Sequence, residues 1–541
     1  MADMTPRAVE RAEAPPQPAL PISLAAARAS AAERAGRTIW RDLALLTVAA
    51  LAMRLPFQTT VLYHWDSVLY ARALAEFDVS QSQPHPPGYL FYVLAGRLGQ
   101  GLLHDPNAGL VAVSLVGGAL AVGLTYLAGR LLFNRAVGAL AAILLAVAPP
   151  FWYYSGVAYP YTVLAAGSAG LAAASVAYWR GGWRRPGLLG WLYGAAGGFR
   201  LDLLVFLAPL LGAAHLTRWW RRRGPLLLVA PGVGAALGIL LWLVPTAILS
   251  GGWTVYLPLV LKQGHYVESS YSLWSRGWPA LQSNGWQVLV YAWEGLQLAL
   301  LPCFYGLARV VWRSWRDPKH GLMWGRAPAR VVLPLWLAPP VLFYTFVHIG
   351  DRGYSFSYLP ALAVASAAST VLLAHDAWTW GARWRRGLGA LGPRSLWGVA
   401  LVGLLALPNA GTFLFGHGRL SAYEADCVNR TTQETVALIR EWFDPADTLL
   451  FSSFFYQHAR YYLPEYRTWW YDPLTRPVFR EPLPAGVHQV VVFGEGLWAA
   501  RQPNVSYFPL SCGRRLYYFY AVEPGAQVLF RPPLLSVRRA P

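Results

Sequence analysis

The sequence predicts an all-α polytopic membrane protein with about eleven transmembrane helices and a small C-terminal α/β domain outside the membrane. Apolar residues make up 55% of the 541 residues and charged residues only 13%, which is about half the charged share of a soluble domain. The chain also carries 26 Trp and 29 Tyr, whose rings favour membrane interfaces. Its net charge of +19 lies in short loops between apolar segments, which indicates membrane topology and excludes a nucleic-acid partner.

The arginine-rich loops predict the order of the domains. Residues 1–38 are rich in Ala, Pro and Arg and lack the compact apolar segment of a signal peptide, so we expect a disordered cytoplasmic tail. Residues 39–415 form the predicted transmembrane domain, whose first outer loop is 63–106. Between the basic clusters that begin at Arg180 and Arg218, about thirty apolar residues are too few for two full crossings. This stretch predicts a pair of short or tilted helices with Arg200 near their outer turn.

The C-terminal residues 416–541 have a different character, because charges of both signs return. Their apolar spacing predicts three elements, namely a helix at 431–443 and buried strands at 448–451 and 487–493. We call this region the outer domain. It contains Cys427 and Cys512, and an outer compartment permits disulfides. The sequence leaves open whether the two thiols are bridged or unpaired.

The predicted outer loops hold most of the unusual polar side chains. A carboxylate beside a bilayer is costly unless it is paired, solvated or used. Carboxylates, cations and aromatic rings at one membrane face suit transfer from a phosphorylated lipid. In such a reaction a carboxylate takes the proton of an acceptor hydroxyl, and guanidinium groups hold the departing phosphate through paired, charge-assisted hydrogen bonds.

Four sequence motifs carry a resemblance to a known family. They are Asp66 with Tyr70-Ala71 and Ala73, the turn His85-Pro86-Pro87-Gly88-Tyr89, the segment Gly198-Phe199-Arg200-Leu201-Asp202, and Gly353-Tyr354 leading to Leu359-Pro360. With these motifs in this order, the chain resembles the GT-C glycosyltransferases over about residues 40–374. Within that superfamily it is most similar to bacterial relatives of the protein O-mannosyltransferases and aminoarabinose transferases.

The resemblance implies a sugar donor on polyprenyl phosphate and catalysis at the outer face. It matches Asp66 to the first-loop aspartate that acts as base or orients the acceptor. We assign donor-phosphate binding to Arg200 and Arg352. The expected substrate-binding residues are His85, Asp78, Tyr161, Lys262, His265, Tyr266 and Tyr354. Many relatives carry an acidic residue where this chain has Ala158-Tyr159-Pro160-Tyr161, so a bound divalent metal is not supported and no cofactor is expected.

Each candidate residue also has a structural alternative. Asp66 and Asp78 are candidates for helix caps, and His85 for a residue that only completes a turn. Arg200 has possible ion-pair partners in Asp202 and Glu76, and Arg352 in Asp351. For Lys262 and His265, the alternative to substrate binding is contact with lipid headgroups at the membrane interface. The role of Glu294, inside a predicted span, is open.

The sequence therefore predicts a cell-envelope glycosyltransferase that moves a hexose or pentose from a polyprenyl-phosphate carrier to a hydroxyl on a protein, lipid or glycan. Residues 251–284 are expected to form a partly mobile lid over the site. A transporter or flippase of lipid-linked glycans is the main alternative, although transporters place their sites near the bilayer midplane between repeated halves. A surface-polysaccharide polymerase or ligase and a non-enzymatic scaffold are the others.

Overall fold

The computed structural model describes residues 22–222, 224, 226–316, 329–384, 394–472, 478–494 and 497–539. Of the predicted disordered tail at 1–38, residues 1–21 lie outside the described residues. From Ile22 onward the chain is helical, so the first helix begins earlier than the sequence predicted. The helices before the outer domain are α1 Ile22–Arg54, α2 Trp65–Ala75, α3 Leu90–Leu103, α4 Pro106–Leu132, α5 Arg135–Ala146, α6 Pro149–Ser155, α7 Tyr161–Trp179, α8 Pro186–Ala196, α9 Asp202–Arg222, α10 Leu226–Leu249, α11 Trp253–Tyr271, α12 Leu273–Arg276, α13 Trp278–Leu296, α14 Leu301–Arg316, α15 Ala329–Phe346, α16 Leu359–Trp384 and α17 Arg394–Phe415.

The apolar helices make this a multi-pass membrane protein. Within the described residues, seven helical stretches are long and apolar enough to cross a bilayer, or eight if the bent pair α5 and α6 counts as one crossing. That pair bends by 66° at Pro149-Pro150, where two residues lack a backbone N–H. Three further predicted crossings fall on α1, α8 and α17, which do not pass the same test. The total of about eleven therefore remains a prediction.

The predicted pair of short or tilted helices corresponds to α8 and α9, which differ in length. Helix α8 has 11 residues, whereas α9 has 21 and is long enough to span a bilayer. Helix α8 packs closely on α10 because small residues line their contact. A Cβ on Gly190 or Gly194 would run into backbone oxygens of α10, and this kind of approach is typical of membrane helix pairs. The packing fixes the turn between α8 and α9, where Arg200 lies.

A fully buried arginine holds the bend between α5 and α6. The guanidinium of Arg54, at the end of α1, donates to Ser155 Oγ over 3.0 Å and to the carbonyl oxygen of Ala146 over 3.0 Å. A third donor bonds the carbonyl oxygen of Ala50 in its own helix. A buried cation is tolerated when its donors are satisfied in this way. Arg54 therefore joins α1 to both halves of the bent pair.

The predicted lid is mostly helical. It consists of α11, α12 and the start of α13. The apolar sequence at 286–312 predicts a membrane span, but the helix there already begins at Trp278. The chain then breaks at Gln297, whose φ is +44°, before α14 continues. The long outer segment is thus a series of three consecutive helices, with α12 between α11 and α13.

The outer domain combines helices with two β-sheets. Its elements are α18 Ala422–Trp442, β1 Thr448–Ser452, α19 Tyr456–Tyr462, β2 Arg467–Trp470, β3 Phe479–Pro482, β4 Gln489–Val492, β5 Trp498–Ala499, β6 Val505–Pro509, β7 Arg515–Phe519, β8 Ala526–Arg531 and β9 Leu534–Arg539. One sheet has the order β2-β1-β4-β7-β6, with β1 parallel to both β2 and β4, and the other has the order β3-β8-β9-β5. The helix predicted at 431–443 is longer than expected, and the two predicted strands correspond to β1 and β4.

A disulfide joins Cys427 of α18 to Cys512, just before β7, with Cα atoms 6.0 Å apart. The open alternative of two unpaired thiols is therefore excluded. The outer domain also holds the segment that leads into α2. The N–H of Leu62 donates to the Tyr462 hydroxyl over 2.8 Å, and the carbonyl oxygen of Leu62 lies 3.1 Å from His458 Nε2. The start of α2 is thereby fixed from outside the membrane part.

Candidate active site

Asp66 lies in the first turn of α2, but it is not the cap of that helix. The cap is His64, whose Nδ1 accepts a hydrogen bond from the backbone N–H of Asp66 over 3.2 Å. The hydroxyl of Ser67 in turn accepts the backbone N–H of His64. This reciprocal arrangement satisfies two backbone groups of the helix start. The carboxyl of Asp66 is therefore available for other contacts.

Three side chains surround the Asp66 carboxyl. The Tyr159 hydroxyl donates to Oδ2 over 2.9 Å. Nδ1 of His85 lies 3.6 Å from Oδ1, and Nδ1 of His64 lies 3.7 Å from Oδ2. The carboxyl side chain is 25% exposed, so an acceptor group has access to it.

The surroundings keep this carboxyl ionised. Burial by itself raises the pKa of Asp66. The two imidazoles, the tyrosine hydroxyl and the guanidinium of Arg200 together lower it by more, so the pKa lies below its usual value. Burial also lowers the pKa of His85, although the Asp66 charge opposes this. At neutral pH, Asp66 is a carboxylate beside a neutral imidazole, a state suited to a proton acceptor.

The turn that carries His85 depends on a glycine. Gly88 has a φ of +111°, and a Cβ there would approach Thr246 of α10 to 2.8 Å. Tyr89 follows with a φ of +47°, which is unusual for a bulky residue and is found at functional sites. The carbonyl oxygen of Pro87 accepts the hydroxyl of Tyr256 on α11 over 2.8 Å. Helix α11 thus contacts the turn that carries His85.

Arg200 is brought to the same place by the turn between α8 and α9. The carbonyl oxygen of Gly198 accepts the N–H of Phe91, at the start of α3, over 3.0 Å. The Arg200 side chain is only 4% exposed, and its Nη2 donates to Asp202 Oδ2 over 2.6 Å. Of its two possible ion-pair partners, Asp202 is the one observed. The buried Nε of Arg200 has no hydrogen-bond partner within the described part of the chain.

Tyrosine rings line the space around this guanidinium. Its central carbon lies 4.7 Å from the ring centre of Tyr161, 5.4 Å from that of Tyr89 and 5.6 Å from that of Tyr354. Such ring faces stabilise a cation without using its N–H donors. Arg200 therefore retains hydrogen-bonding capacity toward an anion, and its charge reaches the Asp66 carboxyl.

Arg352 has a different environment. Its Nε and Nη2 donate to the two carboxyl oxygens of Glu294 over 2.7 and 3.0 Å, which gives Glu294 a partner. The neighbouring Asp351 accepts the Arg352 backbone N–H over 2.6 Å and also the Tyr154 hydroxyl. Arg352 and Glu294 line a cavity of about 330 Å³ together with Arg419. Because a carboxylate already occupies its paired donors, Arg352 is less suited than Arg200 to bind a phosphate.

The remaining predicted residues lie outside the cluster around Asp66. Asp78 caps a short turn, where its carboxyl accepts the N–H of Ser80 over 2.8 Å. Lys262, His265 and Tyr266 are exposed on α11. The structure therefore brings together Asp66, His85, Arg200, Tyr161 and Tyr354 and leaves the other candidates apart.

Sequence reasoning missed His64 and Tyr159 as contacts of Asp66. Tyr159 occupies the segment where the resemblance leads one to expect an acidic residue. Its hydroxyl bonds the carboxylate instead, so the departure from the family pattern was itself the available signal. Throughout the described ranges, no group of three or more His, Cys, Asp or Glu side chains is placed to hold a metal ion.

The fold is similar to that of two solved structures, both of ArnT from Cupriavidus metallidurans. The structure bound to undecaprenyl phosphate has a TM-score of 0.52 at 15% identity and covers 90% of this chain and 97% of that one. The apo structure has a TM-score of 0.53 at 14% identity and covers 90% and 98%.

Comparisons of the sequence itself give no relative. No family model matches the chain, and no curated protein matches it. The likeness to known proteins therefore lies in the fold.

Proposed function

We propose that this protein transfers a sugar from a polyprenyl-phosphate carrier to an acceptor hydroxyl at the outer membrane face. The observation that carries the proposal is the presence of a carboxylate, Asp66, and a buried guanidinium, Arg200, in one ring-lined cluster where the Arg200 charge acts on Asp66. The fold adds support, because ArnT has been crystallised with undecaprenyl phosphate. The donor sugar is a hexose or pentose, and the acceptor is a protein, a lipid or a glycan.

The reaction is a direct displacement. The acceptor oxygen forms a bond to the anomeric carbon of the sugar, and the bond from that carbon to the phosphate oxygen breaks. The acceptor proton moves to the Asp66 carboxylate. The polyprenyl phosphate leaves as an anion, and the donors of Arg200 stabilise its developing charge. His85 and Tyr159 hold the carboxylate in place.

The position of the cluster favours an enzyme over a transporter. His85 and Arg200 lie in segments that connect helices, and Asp66 lies in the first turn of the short helix α2. Transporters instead place their sites near the bilayer midplane on interrupted helices. The arginine-rich loops predict that these segments face outward and that the N-terminus is cytoplasmic. Helix α11 contacts the turn that carries His85 through the hydrogen bond from the Tyr256 hydroxyl to the carbonyl oxygen of Pro87.

Mass spectrometry of lipid-linked sugars and surface glycans tests the proposed function. A strain that lacks the gene should accumulate one carrier-linked sugar and lose one glycan modification. Asp66→Asn should leave this defect in place, whereas the matched control Glu76→Gln, in the same loop and exposed, should correct it. Correction of the defect by Asp66→Asn would exclude Asp66 as the base, and unchanged lipid-linked sugars would exclude the transferase itself.

A further inference from the structure

The outer domain contains a crevice of about 450 Å³ that the proposed reaction does not use. It opens at the carboxyl ends of the parallel strands β1 and β4. In the sheet, β1 lies between β2 and β4. The chain leaves β1 through α19 and enters β2, on the side of β1 away from β4. Ligands of α/β sheets bind in the crevice outside the carboxyl ends of the strands where connections diverge in this way. The volume lies within the range of small-molecule sites.

A glycine keeps the floor of the crevice open. Gly494 follows β4 with a φ of +118°, and a Cβ there would lie 2.7 Å from the ring of Phe455. Phe455 follows β1, so the ends of both parallel strands meet at this point. A larger residue at position 494 would displace the ring that forms the floor.

The walls carry fixed hydrogen-bonding groups. Helix α18 contributes Thr431, Thr432 and Thr435 to the lining. Arg514, which precedes β7, also lines the crevice. It donates to both carboxyl oxygens of Glu424 over 2.9 and 3.0 Å and to Thr431 Oγ1 over 3.1 Å. The disulfide joins α18 to the segment before β7 close to these residues. A ligand would therefore meet hydroxyl and guanidinium groups that are already positioned.

Aromatic rings stand at the rim of the crevice. Trp498, which lines the crevice, is 52% exposed, and Tyr507, which contacts the lining residue Tyr517, is 46% exposed. Their ring centres lie 6.4 and 5.8 Å from that of Tyr517, between them. The guanidinium of Arg515 lies 4.5 Å from the ring centre of Tyr507. The rim thus presents flat apolar faces next to a cation.

We propose that this crevice binds a saccharide segment, at a site separate from Asp66. Aromatic rings pack on the apolar faces of sugar rings, while threonine hydroxyls and guanidinium groups bond sugar hydroxyls. Among the described residues, Arg514 is paired with Glu424 and no carboxylate forms an ion pair with Arg515. The positive charge of Arg515 therefore favours a sugar that carries a carboxylate. The inference goes beyond the proposed function, because binding here needs neither a lipid donor nor transfer.

Binding of defined saccharides to the full-length protein in lipid nanodiscs tests the proposal. The probes are maltotriose, chitotriose and trigalacturonic acid, measured by saturation-transfer difference NMR and calorimetry. We expect at least one probe to bind, and Trp498→Ala to weaken it about tenfold, because the variant loses the exposed aromatic face that would pack on a sugar ring. Arg515→Gln should weaken trigalacturonic acid more than the neutral probes. Both side chains are exposed, so both variants should fold.

Two controls separate this site from the proposed reaction. Trp442→Ala removes a ring of α18 that is 59% exposed and outside the crevice, and it should bind the probes as the wild type does. Asp66→Asn should also bind them normally even if it transfers no sugar. Absence of binding by all three probes at millimolar concentration, or equal affinity in wild type and Trp498→Ala, would overturn the inference.

Discussion

Replacing Tyr159 with phenylalanine tests whether Asp66 is the working base. The change removes the hydrogen bond of 2.9 Å that the Tyr159 hydroxyl donates to the carboxylate. A hydrogen bond to a charged group is worth about 1.5–3 kcal/mol, which corresponds to a pKa change of about 1–2 units. Because the Asp66 side chain is 25% exposed, water will replace part of the lost bond. We therefore expect the pKa of Asp66 to rise by about one unit.

The assay is the pH dependence of kcat/KM for sugar transfer. A base must be ionised, so activity is lost as the pH falls through the pKa of Asp66. Tyr159→Phe raises this pKa, so the acid limb of the profile should move to higher pH by about one unit. Tyr178→Phe is the matched control on α7, because its hydroxyl has no hydrogen-bond partner among the residues described. An acid limb that coincides with that of the wild type would refute the role of Asp66.

Three further predictions concern the parts that support the cluster. Arg352→Gln leaves the half-buried Glu294 without its partner, so the free energy of unfolding should fall by about 1–3 kcal/mol. The double variant with Glu294→Gln should recover part of this loss. Equal thermal stability of the single and double variants would contradict this expectation. Cys512→Ser removes the disulfide to Cys427, which closes a loop of 85 residues. Chain entropy predicts that the free energy of unfolding of the outer domain falls by about 4–5 kcal/mol. Limited proteolysis of the outer domain should therefore become faster, and an unchanged rate would contradict the expectation. Gly88→Ala should reduce sugar transfer about tenfold to hundredfold, because it displaces the His85 imidazole in the same turn. Full activity with an unchanged circular dichroism spectrum would contradict this role of Gly88.

The membrane part was largely predictable because its signal is local. Apolar length and flanking arginines predict a membrane span at 107–133. Helix α4, at Pro106–Leu132, lies within one residue of it at each end. The predicted ends of some spans were wrong, because apolar composition alone does not show where a helix bends or begins. Pro149-Pro150 bends one predicted span, and Trp278 begins another well before its most apolar part.

The contacts of the candidate site could be predicted only in part, because they join distant segments. Tyr159 lies 93 residues from Asp66 along the chain, and Glu294 lies 58 residues from Arg352. The order of the loops indicates that such residues share one face, but not which side chains meet. Lys262 shows the same limit, because its segment reaches the cluster through Tyr256 while Lys262 itself is exposed.

The most direct test of the central claim is equilibrium binding of undecaprenyl phosphate to the purified protein and to two variants. Asp66→Asn should bind this lipid as the wild type does and transfer no sugar, because only the proton acceptor is lost. Arg200→Gln should bind it at least about tenfold more weakly, since a buried guanidinium no longer meets the phosphate. Wild-type affinity of Arg200→Gln, or sugar transfer by Asp66→Asn, would contradict the assignment of these two residues to one reaction.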